Sequence, residues 1–115
     1  MNSIRESEGW ILLQTWNSTA VSVFFKFTSA RKDVILRGTG AIVRLDDEWL
    51  VIEGDESSFA AELAGAAIKD FATSVLMLSA GSDPAKYPEF VLLSLGDMHR
   101  LEVSVPPVPA SGFLQ

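Results

Sequence analysis

His99 is the only imidazole in the chain, and so the only side chain whose unperturbed pKa lies near neutrality. A histidine base needs a nucleophile within hydrogen-bond reach and an acid to orient it. Ser94 falls beside His99 if Gly96-Asp97 closes a two-residue hairpin, but no Gly-x-Ser-x-Gly elbow occurs and spacing designates no orienting acid. His99 therefore reads as a hydrogen-bonded histidine closing one end of a core, and no catalytic residue is assigned. The absence of cysteine removes thiol catalysis, disulfides and Cys-ligated zinc.

Carboxylates offer the second chemistry. Asp46, Asp47, Glu48, Glu53, Asp55 and Glu56 crowd together over residues 46–56 with no Lys or Arg among them. Oxygen-rich clusters bind calcium or magnesium, yet this order lacks the alternate acidic positions followed by glycine of a calcium loop. Asp47 and Glu53 would also stand about 20 Å apart along a strand rising about 3.3 Å per residue. No metal site is assigned and no cofactor is implied. The cluster reads as the polar turns of an exposed hairpin, and 46–56 is a surface for a basic protein partner.

Binding chemistry is the third possibility. Phe24 and Lys26 alternate on the outward face of their strand, a platform on which bases stack, with Arg31, Lys32, Arg37 and Arg44 for backbone phosphates. Alternatively, Phe24 packs into a second layer or against another subunit. In an unbroken strand Arg37 and Arg44, seven apart, face opposite ways, so no basic stripe forms. With 9 Lys and Arg against 15 Asp and Glu, the net charge of -6 disfavours a nucleic-acid partner.

Hydrophobic periodicity defines the elements that must hold these groups. A helix is predicted over about residues 4–16, from Ile4, Ile11 and Leu12 on one stripe, Glu6 and Glu8 near its start, and Asn17-Ser18 as a stop. Gly9 counts against it and leaves a strand over Trp10 to Trp16 as the alternative. Val21, Val23, Phe25 and Phe27 then alternate with Ser22, Phe24, Lys26 and Thr28, a strand. A polar turn at 30–33 leads to a long strand, Val34 to Leu45, in which Gly38 and Gly40 predict a bend, a bulge or close backbone approach. Closing the next hairpin with Asp46-Asp47 sets Arg44 opposite Trp49, within cation–π reach, and Ile42 opposite Val51; a three-residue loop shifts that register.

Ser57 to Phe71 reads two ways. The Phe59, Leu63, Ala67, Phe71 spacing fits a helix, whereas Gly65 and the surrounding meander favour strands over Phe59 to Ala64 and around Ile68. Val75 to Leu78 is a short strand and 81–88 a loop. The Gly96-Asp97 hairpin puts Phe90, Leu92 and Ser94 on the face of His99, Leu101, Val103 and Val105. Residues 106–115 form a Pro-rich extended tail.

The 115 residues make one β-rich domain, 1–105, plus that tail. Hydrophobic residues reach 48%, apolar for a small domain. The longest uncharged stretch, Gly9 to Phe25, is too polar to be the run of about 20 apolar residues that spans a bilayer. An acidic N-terminus lacks a secretory signal, so a cytoplasmic location and no membrane partner are expected. Strands such as Val91, Leu93, Leu95, apolar on both faces, point instead to a homo-oligomer or an apolar partner.

From Trp10 to about Phe71, an N-terminal helix followed by short bent strands resembles the layout of small barrels built like Sm proteins. Ile35-Leu36-Arg37-Gly38 is similar to the Ile/Leu-Arg-Gly element of their second motif, although here it precedes the long hairpin. The Asp-Gly and Asn signature of their RNA site is missing. The resemblance implies shape and assembly through strand edges, and carries over no RNA-contacting residue. The expected fold is thus mainly β, a small bent-strand barrel or sandwich, Sm- or SH3-like, with an N-terminal helix. The expected function is that of a non-catalytic, self-associating or protein-binding domain, with a single-stranded nucleic-acid binder and a small-ligand barrel as alternatives. Phe24, Lys26, Arg44, Trp49 and His99 are the candidate interaction residues.

Overall fold

A computed structural model describes residues 7–31, 33–56, 58–73, 78–81, 88–96 and 99–105. One helix, α1 (Glu8–Thr19), precedes seven strands: β1 (Ser22–Thr28), β2 (Val34–Leu45), β3 (Trp49–Glu53), β4 (Ser58–Glu62), β5 (Ala67–Ala72), β6 (Glu89–Ser94) and β7 (Arg100–Val105). The protein is mainly β with an N-terminal helix, as expected, and the strands form one unclosed antiparallel sheet ordered β4-β3-β2-β1-β7-β6-β5. Two meanders, β1 to β4 and β5 to β7, meet where β1 pairs with β7. No helix among the described residues is long and apolar enough to cross a membrane.

Ser7 caps α1 by accepting the Gly9 N–H at 3.2 Å, and Ala20 ends it in a left-handed conformation, so the helix runs past Asn17-Ser18. Rather than stopping the helix, Asn17 anchors it: its amide donates to the Ile42 carbonyl at 2.9 Å and ties α1 to β2. The expected stripe is also corrected. Ile11 faces solvent and Ile4 lies outside the described residues, while Trp10, Leu13 and Trp16 form the buried face. Each indole removes about 150–250 Å² from water, more than Ile11 offers, so the tryptophans set the helix's rotation. The helix packs on β2, β5 and β6 although β1 and β7 lie between them, so the sheet curls around it. Gly9 permits the closest approach, since a Cβ there would stand 3.1 Å from Ile68 Cγ2.

Val23 and Phe25 of β1, Ile42 of β2, Leu50 and Ile52 of β3, and Val91, Leu93, Leu101 and Val103 of β6 and β7 complete the core. Two bulges keep it continuous. In β2, Ile42 pairs with Ile52 and Leu45 with Leu50, so the irregularity at Val43 returns Ile42 and Leu45 to one face and turns Val43 outward. In β5, Ile68 pairs with Leu93 and Phe71 with Val91, with the extra residue at Lys69. Strands over 58–62 and 67–72 settle the 57–71 stretch as expected; a spacing of four, as from Phe59 to Leu63, keeps one face in a strand as well as in a helix, and the bulge brings Ile68 and Phe71 to the core while Ala67 faces out.

Both expected hairpin registers are corrected. Asp46 N–H donates to the Trp49 carbonyl at 3.1 Å, which makes Asp47-Glu48 the loop and places Val51, not Trp49, opposite Arg44. In the last hairpin Leu95 N–H donates to the His99 carbonyl at 2.8 Å and Ser94 pairs with Arg100. A one-residue slip flips every side chain, so Val91, Leu93 and Leu95 share the core face with His99, Leu101 and Val103, and Ser94 turns to the other face. Asp97 and Met98, most of the expected strand at Val75–Leu78, most of the loop at 81–88 and the tail 106–115 lie outside the described residues; Leu78 itself sits in a turn that Gly81 N–H closes at 3.1 Å.

Candidate functional site

Because Val23 and Phe25 point into the core, Phe24 and Lys26 must point out of the convex face of the sheet. Pairing then decides their company. Phe24 lies between Thr39 of β2 and Ser104 of β7, and Lys26 between Arg37 and Glu102. These side chains line a shallow groove of about 290 Å³; Gly38 lies behind it, paired with Phe25, and a Cβ there would meet the Phe25 ring at 3.1 Å on the core face. Lys26 and Arg37 are cations directly opposite one another, an arrangement that costs about 0.2–1 kcal/mol. Among the described residues neither side chain makes a hydrogen bond or ion pair, and Glu102 makes none with Lys26.

Sequence reasoning names Arg37 among the cations near Phe24 and Lys26 but leaves it out of the candidate interaction residues, although a signal for their pairing exists. A four-residue turn at 30–33 would pair Ser29 with Val34 and so set Lys26 against Arg37. The protein reaches the same pairing by a tighter turn, closed by Ser29 N–H to the Asp33 carbonyl at 2.9 Å, plus one extra residue, Ile35, where Thr28 pairs with Val34 and Phe27 with Leu36.

That extra residue marks a second surface. Val34, Ile35 and Leu36 are 47%, 54% and 42% exposed, and β3 pairs with β2 only from Ala41 to Leu45. The outer edge of β2 from 34 to 39 therefore has no strand against it among the described residues.

The remaining candidates disperse. Arg44 gives its Nε–H to Asp46 Oδ2 at 2.6 Å, and Trp49 pairs across to Glu62, so the expected cation–π contact is replaced by a turn interaction. Asp46 Oδ1 also accepts the N–H groups of Glu48 and Trp49, each at 2.8 Å. The Arg44 hydrogen bond, with these two backbone donors, holds the Asp46 carboxyl at about 2, below its ordinary 3.8. The acidic cluster is thus divided between the β2–β3 turn and the β3–β4 turn, and no group of three potential ligands gathers among the described residues.

His99 is half-buried with its ring stacked on Phe27, centroids 5.2 Å apart, and Phe27 meets Phe59 at 5.4 Å. This aromatic row joins β4 to the other meander and lines a cleft of about 410 Å³ with Leu95. The expected Ser94–His99 neighbourhood does not form because the register puts the two residues on opposite faces. Compared with family models, curated proteins and solved structures, the chain matches none of them.

Proposed function

We propose that this chain is a non-catalytic β domain that associates reversibly with a second copy of itself through the free edge of β2. The observation that carries this reading is the run Val34, Ile35, Leu36, exposed on a strand edge that no other described strand covers. Water leaves apolar side chains and unpaired backbone groups together when an identical edge approaches, and a two-fold pair needs only the one patch. The charge distribution permits the approach. Residues 46–56 hold six acids and no base, while the rest of the chain holds nine of each sign, so two copies meet at 34–36 without the net repulsion of their acidic turns. The bulge at Ile35 twists the edge, which keeps the shared contact short and the association concentration-dependent. The edge contact also accords with the assembly that the Sm-like layout implies.

Light scattering across a wide concentration range tests the reading. The expected result is a rise from monomer towards dimer mass that Ile35→Lys abolishes while the far-ultraviolet spectrum is retained. A monomer at every concentration overturns it, as does a dimer indifferent to Ile35→Lys.

A further inference from the structure

We propose that the convex groove binds a nucleoside phosphate, with the base laid on Phe24 and the phosphate held by Arg37 and Lys26. Three observations carry this, and none depends on self-association. First, Phe24 leaves 48% of its surface in water although it is flanked by two strands, which gives an aromatic face to a planar ring. Second, two steps along β1 and β2, about 6.6 Å at about 3.3 Å per residue, Lys26 and Arg37 stand opposite each other, and neither forms an ion pair among the described residues, although Glu102 lies across β7 from Lys26. A phosphate between them relieves their repulsion and takes charge-assisted hydrogen bonds from both. Third, the groove has a polarity. Beyond Thr39 it runs out at Gly40 beside Glu53, Gly54 and Asp55, so the Phe24 end is bordered by carboxylates alone, whereas at the Arg37 end two cations, Lys26 and Arg37, stand against the single carboxylate of Glu102. An anion is excluded from the first and favoured at the second, and amino groups on a base face the acidic end.

The spacing from ring to cation pair matches a ribose linking base to phosphate. Thr39 and Ser104 bring hydroxyls to the two sides of Phe24, donors and acceptors that suit either sugar or base edges. The same chemistry is presented by a free mononucleotide and by a residue of single-stranded nucleic acid.

Titration calorimetry at low salt with uridine and adenosine monophosphates, and anisotropy with a short labelled single-stranded RNA, distinguish these sources. Saturation by mononucleotide alone assigns a free-nucleotide site. Tighter binding of the strand, with a log–log salt slope of about -0.7 for the one phosphate neutralised, assigns a strand site. Either supports the proposal if Phe24→Ala weakens binding by about 5- to 150-fold, the range expected for one lost stacking contact. Arg37→Gln must also weaken binding and flatten its salt dependence, whereas Arg44→Gln, on a residue outside the groove, must leave both unchanged. Absence of binding to every probe at low salt overturns the proposal. An equal loss in Arg37→Gln and Arg44→Gln does so too, since it would mean diffuse charge rather than a site.

Discussion

Gly40→Ala tests the packing that exposes the edge of β2. Gly40 sits where β3 ends against β2, and a Cβ there would stand 2.5 Å from the Glu53 carbonyl oxygen, 2.7 Å from its carbon and 2.9 Å from Gly54 N. Gly40 is not among the glycines with positive φ, so alanine suits its backbone and would gain about 0.4–1 kcal/mol through the unfolded chain. Against this, ordinary contacts lie at about 3.5–4.0 Å, so the end of β3 must retreat by about 1 Å. Its neighbours are backbone atoms that cannot rotate aside, and overpacking of this kind costs about 1–3 kcal/mol. The net loss is about 1–2 kcal/mol, or a fall in Tm of about 4–8 °C for a domain of this size. Urea unfolding followed by the fluorescence of Trp10 and Trp16, both buried in the core, measures it. Gly38→Ala is the comparison: its new methyl meets the far end of the Phe25 ring at 3.1 Å, a side chain that can yield, and should cost less. A Gly40→Ala protein as stable as the parent would refute the close crossing of β3 over β2.

Two further perturbations address the turn and the helix. Asp46 has a lowered carboxyl pKa, about 2 against 3.8, so its contribution is fully present above about pH 4 and is lost as pH falls towards 2. The stability difference between the parent and Asp46→Asn should therefore be largest above pH 4 and shrink towards pH 2; a difference unchanged across that window contradicts the turn geometry. Asn17→Ala removes the amide that caps the Ile42 carbonyl beside the β2 bulge, and should cost about 0.5–1.5 kcal/mol in urea unfolding with no change in m-value. A neutral result would mean that the bulge holds without the helix.

Much of the architecture is legible in the sequence because alternation is a strong signal. Val23 and Phe25 inward with Phe24 and Lys26 outward follow from period two alone, and the structure places them so. What alternation does not reveal is everything that depends on counting across an irregularity. Ile42 and Leu45, or Ile68 and Phe71, lie three apart, a spacing that a regular strand sends to opposite faces and a helix to one. Only a bulge reconciles such spacing with a sheet, and no residue type announces it: the bulges sit at Ile35, Val43 and Lys69, whereas Gly38 and Gly40, read as a bend, a bulge or a close approach, serve the close approach. Turn length is the second loss. Residue type favours Asp46 as a loop residue, but its N–H donates to the Trp49 carbonyl and its carboxylate accepts the Glu48 and Trp49 N–H groups, so it belongs to the closing pair with Trp49. His99 does stand at the end of the core, as its position in the strand pattern implies, yet it is no neighbour of Ser94, for the same one-residue reason.

The net charge of -6 argues against any polyanion, and distance shows why a whole-chain sum misleads here. Charges in salt water influence one another over a Debye length of about 8–10 Å. Arg37 is nine residues from Asp46 along β2, about 30 Å at about 3.3 Å per residue, so the carboxylates of the β2–β3 turn are screened from it. Glu53 is nearer, paired with Ala41 four residues on, about 13 Å from Arg37 and still beyond one Debye length. The field at the Lys26–Arg37 pair is therefore set by its immediate neighbours, Glu102 across β7 and Arg100 beside Thr28. Those two cancel, so the pair itself leaves the site cationic in a chain that is acidic overall. Raising the salt shortens the Debye length further, so the distant acids lose influence before the adjacent cations do. A weak anion preference in this groove should survive at physiological ionic strength, where repulsion by the acidic turns has already faded.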